Sequence, residues 1–336
     1  MLDQLPAILR QGQHAAVFGL RKVGKSSLLS QLRLRMIDVP VAFLDGEGYQ
    51  MVHTDLLREI LVRLRAEVER LQGSRVPAAP PAESANELRT QLAGLHEHWK
   101  RKSNERFVLM VDEVECWFPD RRDSASEPAL REFVALFRIL RALAQERGML
   151  SVFVTGYRPN VNRHNRLTST VGENPMHLSF QENFLGFLDQ SDTRQMIRDI
   201  GGWKEITWAE DALGEIYRAC GGHPMLARFI ASEACGQGSR KEVTVQDVTA
   251  VIEGIRGNFR KHRIGAYYEE SVWATLLEDE REVLQWVASE TGGEPGKALE
   301  DALVNLEHFG LIRRESSGLA VNGQLFLAWL QGRGKA

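Results

Sequence analysis

Nine consecutive residues, Gly19-Leu20-Arg21-Lys22-Val23-Gly24-Lys25-Ser26-Ser27, set two glycines, a lysine and two hydroxyls at the spacing G-x-x-x-x-G-K-S. Residues of these types at this spacing suit one task, wrapping a polyphosphate. Glycines at both ends let the backbone turn tightly, so that successive N–H groups point inward. The lysine adds a point charge, and the following hydroxyl can ligate a divalent cation. The pattern assigns Gly19, Lys22, Val23, Gly24, Lys25, Ser26 and Ser27 to the phosphates of a nucleoside triphosphate. Lys25 is expected to reach the β- and γ-phosphates, Ser26 to hold Mg²⁺, and Ser27 to lie on the α-phosphate side. A second constellation is Asp112-Glu113, directly after the apolar run Phe107-Val108-Leu109-Met110-Val111. Asp112 would share the Mg²⁺ with Ser26, and Glu113 would orient or deprotonate an attacking water. Glu115 is a weaker base candidate.

These groups need elements to hold them. Ala15 to Phe18 is an apolar run that leads into the glycine loop, and Leu28-Leu29-Ser30-Gln31-Leu32 continues it with helical spacing. Strand, loop and helix N-terminus are the context in which such a loop binds phosphate, because the helix dipole adds to the N–H donors. Further apolar strands are predicted at Val41 to Asp45, Phe107 to Val111 and Leu150 to Thr155, with Met176 to Phe180 as the last. Helices are predicted between them, over residues 54–71, 87–102 and 129–147, with a short one at 3–11. Strands alternating with helices at this spacing give a doubly wound α/β domain with a buried parallel sheet. Ligands bind such sheets at the carboxyl ends of the strands. Thr155 and Arg158 therefore join the candidates: they follow a strand expected between the other two functional strands, where a hydroxyl or guanidinium can sense the γ-phosphate. Arg121, Arg122, Arg163 and Arg166 are candidates for an arginine finger supplied in trans.

Beyond residue 183 the pattern is almost wholly helical. Cys220-Gly221-Gly222-His223-Pro224 interrupts it, with His223 and Pro224 as candidates for the nucleotide side and Arg228, one turn on, as a further phosphate-sensing candidate. Helix, helix and hairpin over 278–290, 296–309 and 311–321 suggest a winged helix-turn-helix. Its would-be recognition helix, from Lys297 to His308, carries three acids and one lysine. Acids there repel DNA phosphates, so a protein-docking or nucleotide-gating role is expected instead. The expected domains are a P-loop ATPase core over 1–182 with a mobile loop at 73–86, a helical lid over 183–257 and a winged-helix domain over 258–336.

Composition bounds the rest. The 336 residues are 43% hydrophobic and 26% charged, with a net charge of −3, as in soluble globular proteins without a basic footprint for nucleic acid. No apolar run approaches the roughly 20 residues that span a bilayer. The three cysteines, Cys116, Cys220 and Cys235, lack metal-site spacing, and a cytoplasmic location is expected. No Asn-Lys-x-Asp guanine motif occurs, so ATP or ADP is the expected nucleotide.

The P-loop, Val111-Asp112-Glu113, Val154-Thr155-Gly156-Tyr157-Arg158, Gly221-Gly222-His223-Pro224 and the segment from Tyr268 to Leu277 together resemble the STAND class of P-loop ATPases. These are AAA+-related signal-transduction proteins, and the likeness is closest to their bacterial and archaeal branch. The resemblance implies an ADP-bound resting monomer whose exchange for ATP opens the domains, permits self-association and activates an effector, in bacterial defence or regulation. By position it implies Lys25 and Ser26 as phosphate and Mg²⁺ residues, Asp112 and Glu113 as metal and base pair, Arg158 as sensor and Pro224 as the adenine-side proline. Two features depart from the class. No Gly-Arg-Glu-like motif stands among the eighteen residues before Gly19, and no effector or repeat sensor is present. Sensor and effector are then expected on a longer chain or on separate chains. The competing readings are a DNA-associated AAA+ ATPase of the initiator or transposition-loader type, which would use the winged helix on duplex, and a scaffold that binds nucleotide without hydrolysing it.

Overall fold

In the computed structural model the described residues are 1–100, 103, 106–118, 127–168, 170–236, 239–289, 296, 299–316 and 318–333. The elements run α1 (Leu5–Arg10), β1 (His14–Phe18), α2 (Lys25–Leu34), β2 (Val41–Asp45), α3 (His53–Gln72), α4 (Ala85–Lys100), β3 (Phe107–Asp112), α5 (Glu127–Arg147), β4 (Leu150–Gly156), α6 (Asn160–Arg163) and β5 (Phe180–Phe184). They continue as α7 (Gln190–Gly202), β6 (Thr207–Trp208), α8 (Glu210–Cys220), α9 (Pro224–Ala234), β7 (Glu242–Val243), α10 (Val245–Arg256) and α11 (Arg263–Ala266). The last are α12 (Glu278–Ala288), α13 (Glu300–His308), β8 (Ile312–Glu315), β9 (Gly318–Val321) and α14 (Gln324–Arg333). The chain divides into two compact units, one of Met1–Phe18 with Lys25–Asn183, the other of Gly19–Gly24 with Phe184–Ala336.

The first unit is built on a five-stranded sheet in the order β2-β3-β4-β1-β5. Strands β2, β3, β4 and β1 pair in parallel, with Asp45 opposite Asp112, Val111 opposite Val154 and Val17 opposite Thr155. Every residue of β3 and β4 is buried, which is why both read as largely apolar runs, with only Ser151 and Thr155 polar before the end of β4, rather than as alternating ones. Helix α3 buries Leu56, Leu57, Ile60, Leu61, Leu64 and Val68, one stripe at helical period. The expected order of functional strands holds, since β4 lies between β1 and β3. One strand does not fall where the hydropathy points. Met176–Leu178 form a turn and the edge strand starts at Phe180. Asn162 sets that start: its carboxamide oxygen accepts the Phe180 N–H, and its Nδ2 donates to the Phe180 carbonyl. At the expected 73–86 loop, residues 73–84 carry no helix or strand, whereas Ala85 and Asn86 already open α4.

In the second unit the helices are joined by two small sheets. The residue pairs of β6 and β7 run parallel, and β8 and β9 form an antiparallel hairpin. Two-residue strands carry too little periodicity to be seen in sequence. Thr244 caps α10 in a capping box with Asp247. Between α11 and α12 the chain makes a π-helical turn, Tyr267–Val272, and a 3₁₀ turn, Trp273–Thr275. After the hairpin comes α14, an element the sequence pattern did not announce, burying Leu325, Phe326, Trp329 and Leu330. Among the described residues no helix is long and apolar enough to cross a membrane.

Two histidines of the first unit make its stability sensitive to acid. His14 Nδ1 accepts the Val152 N–H at 3.0 Å, and burial pushes the imidazole down to about 4. His96, packed edge-on against Phe107 at 5.1 Å, is also pushed down to about 4, mainly by burial. An unfolded chain protonates these groups near pH 6.5. Between about 6.5 and 4 the unfolded state therefore binds more protons, and stability falls as pH drops through that window. Melting temperatures measured from pH 7.5 to 4 should show this decline. His14→Gln, which retains an acceptor without titrating, should make it shallower; an unchanged slope would place the acid sensitivity elsewhere.

Candidate functional site

The glycine loop bridges the end of β1 at Phe18 and the start of α2 at Lys25. Two residues within it take left-handed backbone angles, Lys22 at φ 66° and Gly24 at φ 109°. Val23 is buried and anchors the loop, whereas Lys22, Ser26 and Ser27 are exposed. Lys25 is only 7% exposed, a burial that a lysine tolerates when held by partners. Ser26 and Ser27 occupy the first turn of α2, where backbone N–H groups have no partners within the helix.

In the first unit the carboxyl ends of β3 and β4 form a hydrogen-bonded cluster. The Thr155 hydroxyl, fully buried, donates to Asp112 Oδ1 and accepts the Glu113 backbone N–H at 3.2 Å. Thr155 thus orients the carboxylate of one residue and the backbone of the next. Glu113 sits at φ 53°, a conformation uncommon for a residue with a side chain and frequent at functional turns. Burial, a hydrogen bond with Glu47 and the charges of Glu47, Glu115 and Asp112 push the Glu113 carboxyl up to about 7. A group titrating near neutrality suits general base work. Glu47 stands on a 3₁₀ turn, Gly46–Gly48, capped by Asp45, whose carboxylate accepts the Glu47 N–H at 3.1 Å. Glu115 Oε1 accepts the Tyr157 N–H at 3.0 Å, so it braces the turn after β4. The Arg158 guanidinium, half-buried, lies over the Tyr157 ring at 5.3 Å.

The ligand atoms of Glu47, Glu113 and Cys116 lie within 4.8 Å of one another. For a Mg²⁺ the hard oxygens of the Asp112 carboxylate and the Ser26 hydroxyl are the better donor set, since this ion takes oxygen and avoids thiols. Those two residues fit the ion.

In the second unit His223 is 1% exposed and caps α9, its Nδ1 accepting the Leu226 N–H at 3.4 Å. Burial pushes the imidazole down to about 4, so it is neutral, and with Nδ1 accepting, Nε2 carries the proton. Nε2 donates to the Tyr267 hydroxyl at 2.7 Å, and that hydroxyl donates to the Arg21 carbonyl at 3.0 Å. Through this chain His223 acts on the backbone of the glycine loop. Pro224 is the first residue of α9 and half-buried. Gly222, at φ 85°, passes so close to the Leu188 carbonyl that a Cβ would lie 1.9 Å from it, which gives the Gly-Gly pair a packing requirement of its own.

Of the proposed finger arginines, Arg163 is engaged with both Glu182 oxygens at 2.7–3.1 Å and Arg166 is exposed. Arg121 and Arg122 lie outside the described residues. Sequence reasoning missed Glu47 and Tyr267. The Gly-Glu-Gly run after β2 was a usable signal for the first; for Tyr267 nothing in the sequence shows that its hydroxyl meets Arg21.

No known family model matches the chain, and no curated protein does either. Among solved structures the chain is similar to the Walker-type ATPase PABY2304 of Pyrococcus abyssi, with a TM-score of 0.56, 14% identity, and coverage of 98% of this chain and 94% of that one. The likeness is one of fold. A second match is the RuvB Holliday junction branch migration motor of Thermotoga maritima, with a TM-score of 0.43, 14% identity, and coverage of 95% and 90%.

Two substitutions test the geometry. Gly46 passes against the next strand so closely that a Cβ would lie 2.4 Å from the Glu113 carbonyl oxygen. Gly46→Ala must displace Glu113, and a displacement near 1 Å should lower nucleotide turnover by about 10²-fold while nucleotide affinity, measured by titration calorimetry, stays close to wild type. Tyr267→Phe removes the hydroxyl on which His223 and Arg21 converge. It should weaken nucleotide binding by roughly 3- to 10-fold, the worth of one ordinary hydrogen bond; unchanged affinity would relegate the relay to folding alone.

Proposed function

We propose that this chain binds ATP with Mg²⁺, hydrolyses it slowly, and uses the difference between its ATP- and ADP-bound forms as a switch. The observation that carries the reading is the Thr155 hydroxyl, which holds both Asp112 and the backbone of Glu113 at the carboxyl edge of the sheet that ends in the glycine loop. In this reading Gly19, Lys22, Val23, Gly24, Lys25, Ser26 and Ser27 hold the phosphates, Asp112 and Ser26 hold the metal, and Glu113 positions and deprotonates water. Bound Mg²⁺ would neutralise phosphate charge. Arg158 reads the γ-phosphate. His223 contributes through Tyr267 to the loop, and Pro224 keeps its proposed place on the adenine side.

The switch is supported by the relay from His223 through Tyr267, which ends on the glycine loop. Exchange of ADP for ATP would bias one of two arrangements, with a core over 1–182, a helical lid over 183–257 and a winged-helix domain over 258–336. Self-association in the ATP form and an effector or sensor on a partner chain belong to the STAND-like reading, as does a role in defence or regulation in the cytoplasm.

The loader reading on DNA is less well supported. The two hairpin arginines are committed within their own unit, Arg313 to Glu315 at 2.6 Å and Arg314 to Glu307 at 2.6 Å. The described part of the would-be recognition helix, α13, carries Glu300, Asp301 and Glu307; Lys297, its one lysine, lies outside the described residues.

Nucleotide released by denaturing the freshly purified protein, together with its native mass, tests the reading. Near-stoichiometric ADP on a monomer is expected. Glu113→Gln should lower hydrolysis by about 10²- to 10⁴-fold, retain ATP and form larger assemblies, and Lys25→Ala should lose nucleotide. A Glu113→Gln protein with the wild-type rate and mass would leave only the scaffold reading, and assembly on duplex DNA with a steep salt dependence would revive the loader.

A further inference from the structure

The second unit contains a cavity of about 460 Å³, and of its lining the nucleotide reading touched only Arg228, as a phosphate-sensing candidate. It lies between α7 and α9, and its walls include Trp203, Trp208, Met225 and Phe229. Its volume and its largely apolar lining are those of small-molecule sites. Trp203, at the turn after α7, is 86% exposed. A large aromatic surface left in water at the mouth of an apolar cavity is costly unless something covers it.

The charged side chains that line the cavity have one sign. Lys204, Arg228 and Arg263 line it, and among the described residues no aspartate or glutamate does. The Arg263 guanidinium stacks on Phe229 at 3.9 Å, which fixes a cation directly over the apolar wall. Three acids adjoin lining residues in sequence without lining the cavity themselves, Asp199, Glu205 and Glu233; Asp199 accepts from Gln195 at 2.6 Å and Glu205 is turned to Lys241 at 3.4 Å. One further donor is uncommitted: the buried Trp208 Nε1 has no hydrogen-bond partner. It rests against Gly201, where a Cβ would stand 2.5 Å from it.

We infer that this cavity is a binding site for a small amphipathic anion, an apolar aliphatic or aromatic body bearing one carboxylate, sulfonate or phosphate group. The body fills the space among Trp203, Trp208 and Phe229. The anionic group meets Arg228 and Arg263 at the rim. A neutral ligand of the same shape leaves the cations unanswered, and a cationic one is repelled.

The test uses the full-length protein. 8-Anilinonaphthalene-1-sulfonate is titrated in by fluorescence, then displaced with dodecanoate or with dodecyltrimethylammonium, which has the same tail and the opposite charge. Saturable binding at one site is expected, with displacement by dodecanoate and not by the cation. Raising the salt concentration should weaken it. Arg228→Glu with Arg263→Glu, both exposed positions, should weaken binding by about tenfold or more, the scale of one charged hydrogen bond. Ser232→Trp, at an exposed wall position on α9, should plug the cavity and abolish binding while the circular dichroism spectrum is kept. The inference fails if the cation displaces the probe as well as dodecanoate does, if Ser232→Trp binds the probe unchanged, or if only an acidic amphipathic peptide, and no small anion, binds.

Discussion

Parallel strands cannot slip by one residue without turning every side chain to the opposite face, and the site of the first unit depends on that constraint. With Asp45 opposite Asp112, Val111 opposite Val154 and Val17 opposite Thr155, four strands bring their carboxyl ends to one edge of the sheet. The residues of β3 and β4 are buried throughout, so packing along these two strands holds the register. Thr155 is the product of that alignment. A hydroxyl on β4 reaches Asp112 at the end of β3 and the backbone just past it, and a slip of one position would point it into the opposite layer.

The same edge concentrates negative charge, and the structure manages it in different ways. Asp45 spends its carboxylate on capping the turn that carries Glu47. Glu115 is tied to the turn after β4. Asp112 accepts the Thr155 hydroxyl. Glu113 is left with burial and like charges around it, and its carboxyl rises to about 7. Neighbouring carboxylates held in unlike environments are how acid and base roles become distinct. The left-handed turn at Glu113 is held by the Thr155 bond to its N–H.

In the second unit, burial rather than exposure makes His223 informative. A histidine that caps a helix with one nitrogen and donates with the other has its tautomer and orientation fixed. Its partner Tyr267 sits at the start of a π-helical turn, a local irregularity often found at functional positions. The glycines before His223 are explained by the approach of the Leu188 carbonyl. Motif and packing requirement coincide there, so the residues alone do not reveal which one selected them.

The amino-acid sequence by itself determined the glycine loop, the strands that flank it and the Asp-Glu pair, because each is a local pattern: turn-forming glycines, an unbroken apolar run, a carboxylate at its end. The expectation that β4 lies between β1 and β3 agrees with the sheet order. The start of β5, the two-residue strands and α14 escaped the sequence pattern. Their positions are decided by contacts remote in sequence, such as Asn162 on Phe180, or by packing that a weakly periodic segment does not display. Only the tertiary structure brought Glu47 to Glu113 and Tyr267 to Arg21. Such meetings depend on where separate elements pack, and spacing along the chain carries no record of that.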